Sequence, residues 1–121
     1  MPNLGPISQI ARRVENLDRA RSFFRDTMGL TELYSFPGLA FYDLGGTRLM
    51  IRETGKCDDA DILYFRVSNI AATHAEFAAT GITFSQPPHI IHTHPDGTQE
   101  TMAFFKDDEG RDLALHSVQK P

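Results

Sequence analysis

The 121-residue sequence predicts an α+β fold built from two tandem βαβββ modules. Three observations predict it. The stretch Ile7–Gly29, ISQIARRVENLDRARSFFRDTMG, reads as a strand, a capped amphipathic helix and a glycine stop. A weaker copy, ILYFRVSNIAATHAEFAATG, begins at Ile62: Val14-Glu15-Asn16-Leu17 lines up with Val67-Ser68-Asn69-Ile70, Phe24 with Phe77, and Gly29-Leu30 with Gly81-Ile82 after a one-residue shift. Each copy is followed by short apolar runs separated by turn residues, the pattern of antiparallel strands. The length suits a single domain, 1–121, with module one at about 5–53, a linker at about 54–61 and module two at about 62–119.

The elements follow in order. Ile7–Val14 mixes β-branched and apolar residues with Gln9, Arg12 and Arg13, as a strand does. Asn16 is a helix N-cap, and Leu17, Ala20, Phe24 and Met28, with Phe23 beside them, form an apolar stripe that Gly29 ends. Thr31–Phe36, Leu39–Leu44 and Thr47–Glu53 are strands closed by Pro37-Gly38 and Gly45-Gly46. The charged stretch Thr54–Asp61 has no periodicity and links the modules. In the second module Ile62–Ser68 is a strand, Asn69 a cap, and Ile70, His74, Phe77 and Ala78 the helix stripe before Gly81. Ile82–Ser85 begins a strand that Pro87-Pro88 interrupts. His89–Thr93 and Thr98–Lys106 form a hairpin around Pro95-Asp96-Gly97, and Asp107–Gly110 turns into the last strand, Arg111–Val118. The module ends repeat too: Ala40-Phe41-Tyr42 echoes Ala103-Phe104-Phe105, and Gly46-Thr47-Arg48-Leu49-Met50-Ile51 echoes Gly110-Arg111-Asp112-Leu113-Ala114-Leu115. Two such sheets joined by a linker can curl together and enclose a cleft.

Composition narrows the function classes. At 40% hydrophobic and 23% charged residues the chain is an ordinary globular protein, and a net charge of −4 argues against nucleic-acid binding. The arginines at 12, 13, 19, 21 and 25 are interleaved with acids, as on a solvated helix face. There is no membrane-length apolar run and no signal-peptide pattern, so the expectation is a cytoplasmic protein. The single cysteine, Cys57, forms no intrachain disulfide and reads as a loop thiol.

The whole pattern resembles the vicinal oxygen chelate superfamily, the glyoxalase, bleomycin-resistance and dioxygenase group. The resemblance is carried by VENLDRARSFFRDTMGL after the first strand, GGTRLMI, the second opening YFRVSNI, and the ending FFKDDEGRDLAL. It implies paired βαβββ modules forming a U-shaped mixed sheet around a cleft, a small-molecule ligand and a homodimer. It also implies four metal-ligand positions, usually His, Glu, His and Glu. Here they carry Gln9, Met50, Ile62 and Ala114. Met, Ile and Ala supply no hard ligand, and Gln offers one neutral oxygen. The expectation is therefore a metal-free binding protein with no cofactor, and the enzymatic chemistries of the group (lyase, isomerase, dioxygenase) are the alternative.

Residues two apart on a strand share a face. Gln9, Met50, Arg52, Ile62, Tyr64, Arg66, Ala114 and His116 are thus the expected ligand-binding lining, with Arg52 and Arg66 suited to a carboxylate or phosphate. The competing view of both arginines is that they lie at strand ends and face water. Histidines concentrate in the second module. His92 and His94, with His116 or Glu100, are the alternative, relocated metal site; His116 is the acid–base candidate, and Tyr64 could orient a substrate oxygen. His74 on the helix stripe reads as a core-edge residue.

Overall fold

The computed structural model describes residues 4–56, 61–106, 108 and 110–121. Cys57, the middle of the linker, and Asp107 and Glu109 of the turn before the last strand lie outside the described residues. The chain divides into two compact units: Ser8–Ile62, and Leu63–Pro121 together with the N-terminal residues through Ile7.

In the first of these units the order is β1 (Ile7–Val14), α1 (Leu17–Arg21) continuing as a π-helical turn over Ser22–Thr27, then β2 (Glu32–Phe36), β3 (Leu39–Asp43) and β4 (Arg48–Glu53). The strands lie in the order β2-β3-β4-β1, with β2, β3 and β4 an antiparallel meander and β1 parallel to β4. In the second unit β5 (Ile62–Arg66), α2 (Ile70–Ala79), β6 (Phe84–Thr93), β7 (Gln99–Lys106) and β8 (Asp112–Gln119) follow. Their order is β6-β7-β8-β5, again an antiparallel meander with the opening strand parallel to the last. The architecture is α+β, and both units are βαβββ, as the internal repeat predicts.

The registers repeat as well. Ala11 stands opposite Met50 and Arg13 opposite Arg52. In the other unit Tyr64 stands opposite Ala114 and Arg66 opposite His116. These are the pairings expected if Met50 is the counterpart of Ala114 and the residue two after Gln9 is the counterpart of the residue two after Ile62.

Each helix starts on an asparagine cap. The Asn16 side chain accepts from the Arg19 N–H at 3.0 Å, and Asn69 from the Ala72 N–H at 3.1 Å. In the first unit Leu17, Ala20 and Phe24 pack on Ala40, Tyr42, Leu49 and Ile51. Met28 does not complete this stripe; it is exposed, as is Phe23. The widened turn explains it: Met28 N–H donates to the Phe23 carbonyl, five residues back, so every later side chain is carried round the axis. Leu30 packs in its stead, after Gly29 reverses the chain at φ +76°. In the second unit Ile70, Thr73 and Phe77 are buried, whereas Ala78 is exposed; His74 is half-buried with its ring edge-on to Phe84 at 4.4 Å.

A second difference concerns Pro87-Pro88. The two prolines do not interrupt the strand: β6 runs through them as one ten-residue element. Among the described residues β6 ends its unit's strand order and pairs only with β7, and its register shifts between Gln86 and His89. An edge strand with a bulge tolerates residues that lack an N–H, because that side of the backbone has no ladder to complete.

Candidate functional site

Alternation along the strands sorts side chains into a face covered by the helix and a face turned away from it. In the unit Ser8–Ile62, Leu49, Ile51, Ala40 and Tyr42 lie under α1. Gln9, Phe41, Arg48 and Met50 therefore lie on the opposite face. There Arg48 is the centre of a polar and aromatic cluster. Its Nε donates to Gln9 Oε1, and its Nη1 donates to the Tyr34 hydroxyl at 2.6 Å. Its guanidinium carbon sits 4.9 Å from the Phe41 ring centre, and the Tyr34 ring is 4.8 Å from that of Phe41. Gln9 is only 1% exposed. Its amide oxygen is committed to a cation. Arg52 is exposed at the end of β4, and Ile62 is half-buried at the start of β5.

In the other unit Val67, Ala103, Phe105 and Leu115 pack beneath α2. Tyr64, Glu100, Met102, Phe104, Ala114 and His116 lie on the opposite face. Tyr64 is buried edge-on to Phe104 at 5.8 Å, and Ala114 beside it is fully enclosed. Arg66 is exposed. Arg52 and Arg66, the two arginines suited to a carboxylate or phosphate, are thus both exposed at strand ends.

The most concentrated chemistry lies around Glu100. This carboxylate is 4% exposed. Its Oε1 is 2.8 Å from His116 Nε2, and its Oε2 is 2.6 Å from His94 Nε2. His116 is as buried as Glu100, whereas the His94 side chain is 28% exposed. The His92 ring meets that of His94 edge-on at 4.5 Å. His89 Nδ1 lies 2.8 Å from the Pro87 carbonyl. An ionised carboxylate only accepts, so an imidazole that bonds to it does so through a protonated nitrogen.

The sequence reading names Glu100 only as a spare metal ligand and misses its pairing with His116. The signal was available: β7 and β8 pair with Met102 opposite His116 and Glu100 opposite Val118. Glu100 and His116 are therefore diagonal neighbours on one face. Tyr34 and Phe41 went unmarked because nothing in sequence shows which strand neighbours Arg48.

The donor set does not suit a hard divalent cation at the usual centre. Met50 offers a thioether, Ile62 and Ala114 offer nothing, and the Gln9 oxygen already accepts from a guanidinium whose charge would oppose a metal ion. Among the described residues no group of three or more His, Cys, Asp or Glu is arranged to hold a metal ion. No helix among them is long and apolar enough to cross a membrane.

A separate cluster braces the helix of the first unit. Glu32 accepts from Arg21 Nε at 2.9 Å and Nη2 at 3.0 Å, and from the Tyr42 hydroxyl at 2.9 Å. The Arg21 hydrogen bonds hold the Glu32 carboxyl below its ordinary pKa. Burial, then the neighbouring carboxylate, pushes the Tyr42 phenol up.

Comparison with known proteins places this geometry. The sequence profile of the Glyoxalase/Bleomycin resistance protein/Dioxygenase superfamily matches residues 6–115. The chain belongs to this superfamily. Solved structures agree on its fold. A superfamily member from Vibrio splendidus 12B01 is 14% identical, with a TM-score of 0.71 over 97% of this chain and 100% of that one. Methylmalonyl-CoA epimerase from Mycobacterium tuberculosis is 14% identical, with a TM-score of 0.69 over 96% and 89%. A Mn(II)-bound glyoxalase from Novosphingobium aromaticivorans is 16% identical, with a TM-score of 0.75 over 97% of this chain and 40% of that one. At these identities the likeness concerns fold. No curated protein matches the sequence.

Proposed function

We propose that this superfamily member binds a small organic molecule without a divalent metal at the superfamily's usual centre. The observation that carries the reading is Gln9: the first usual ligand position holds a buried amide whose oxygen accepts from Arg48. The other three positions, Met50, Ile62 and Ala114, are apolar. Apolar surface with a few fixed polar groups is the common character of small-molecule sites. The residues of this character are Tyr64, Ala114 and His116 in one unit and, separately, Gln9, Arg48 and Met50 in the other. A cytoplasmic homodimer belongs to the same reading, from the superfamily resemblance and the cysteine-poor composition. Metal analysis of tag-free protein tests it: the expected content is well below one ion per chain, and stoichiometric zinc, nickel, manganese or iron would overturn it.

A second reading, acid–base catalysis by His116, is favoured by one specific observation. His116 is buried with its Nε2 2.8 Å from the equally buried Glu100 carboxylate, an arrangement that orients an imidazole. On this reading any turnover found in a substrate panel is abolished by His116→Ala with the fold intact. Unchanged turnover removes it.

A further inference from the structure

We infer that Glu100 and His94 are positioning residues that hold the His116 imidazole in its Nε2–H form. The inference deepens the acid–base reading of His116 and rests on it for its functional meaning. Three elements converge to make the device. Glu100 comes from β7, His116 from β8, and His94 from the turn after β6, where the His94 N–H donates to the Thr98 carbonyl and the Gly97 N–H to the His94 carbonyl. The turn is pinned further by the Asp96 side chain, which accepts from the Thr98 N–H at 2.9 Å. His94 is thereby held against one carboxylate oxygen while His116 occupies the other.

The logic is that of donors and acceptors. An ionised carboxylate only accepts, so both Nε2 atoms donate. A neutral His116 with Nε2–H carries its lone pair on Nδ1, which makes Nδ1 the basic nitrogen. His94 contributes a further N–H to the buried carboxylate. His94 is also the partly exposed member, so the array runs from solvent to a buried imidazole. Nothing in this arrangement uses the superfamily's metal positions.

Long-range nitrogen–proton spectra of imidazole-labelled full-length protein test the inference. They are recorded over a pH series, and the tautomer is read on the plateau where the ring signals no longer change. The expected result is an Nε2–H, Nδ1-unprotonated signature for both His116 and His94. An Nδ1–H signature for His116 in the unsubstituted protein overturns the inference without any variant having to fold. In Glu100→Gln one carboxylate oxygen becomes an NH2 donor, so one imidazole must turn a lone pair toward it and switch to its Nδ1–H form. A switch at either ring supports the inference, and unchanged signatures at both overturn it. Turnover is not read in these spectra, so failure of the catalytic reading shows separately, as activity that survives His116→Ala.

Discussion

Replacing Gln9 by leucine measures how far the first usual ligand position has been converted into a structural one. Leucine keeps roughly the volume but removes the oxygen that accepts from Arg48 Nε. Hydrogen bonds to charged groups contribute about 1.5–3 kcal/mol. Arg48 is half-buried and its second partner, Tyr34, remains, which places the expected loss near the lower end, about 1.5–2 kcal/mol. With a urea slope of about 1.5 kcal/mol per molar, within the range for small proteins, the midpoint should fall by about 1 M. The cycle with Arg48→Met isolates the pair: once the guanidinium is gone the amide oxygen has lost its donor, and Gln9→Leu should then cost far less. A coupling of about 1 kcal/mol or more is expected, in the range seen for residues in contact. A single-mutant cost below about 0.5 kcal/mol, or additive effects in the cycle, would refute the claim that Gln9 is occupied by Arg48.

Other expectations follow from the same structure. A Cβ on Gly5 would sit 2.9 Å from the Arg66 carbonyl oxygen, to which the Gly5 N–H donates at 2.7 Å; Gly5→Ala should destabilise by about 1–3 kcal/mol in a thermal melt, as overpacking does. The Ser117 hydroxyl is buried without a hydrogen-bond partner among the described residues, so Ser117→Ala should leave stability unchanged or raise it by about 1 kcal/mol in urea unfolding. Glu32 is held below its ordinary pKa of 4.5 by Arg21, so its contribution to stability is present above that value and is lost as pH falls through the lower folded pKa. Glu32→Gln should therefore flatten the stability–pH curve on the acid side, and an unchanged acid limb would contradict the ion pair. Leu115 is fully enclosed by Val67, Ile70, Phe77 and Phe105, and Leu115→Ala should cost about 3–5 kcal/mol by calorimetry or denaturant.

Much of the fold was legible because a duplicated sequence checks itself. The first strand, the two asparagine caps and the βαβββ order are local signals read twice. The departures are places where local rules yield to context. Met28 obeys a 3.6-residue period that the π turn breaks, and Pro87-Pro88 sits on an edge strand that no sequence window identifies as an edge. Face-sharing groups Tyr64, Ala114 and His116 on one sheet face of one unit, and the register has them there. Partners across strands were less visible. Glu100 and His116 could have been paired from the short turn between β7 and β8. Gln9 and Arg48 could not, because parallel pairing of β1 with β4 is set by the whole intervening helix and meander.

On the metal-free reading proposed above, the polar residues beside the usual ligand positions differ between the two units. Met50 and Ala114 are register equivalents, and both lack the carboxylate expected there. A polar side chain instead stands two residues away in each unit, of different character. Arg48, two before Met50, brings a cation backed by Phe41 and Tyr34. His116, two after Ala114, is tied to the Glu100 carboxylate. A guanidinium beside the first position raises the cost of any divalent cation there, whereas it suits a carbonyl, carboxylate or phosphate oxygen. A histidine backed by a buried carboxylate suits the movement of a proton. Restoring only the usual ligand types, by Gln9→His and Met50→Glu, should therefore fail to create a tight metal site while Arg48 remains. Adding Arg48→Met to the same variant is the comparison that decides whether the cation is what keeps metal out: nickel affinity measured by calorimetry should rise only with the third change, and equal affinity in both variants would show that Arg48 has no such role.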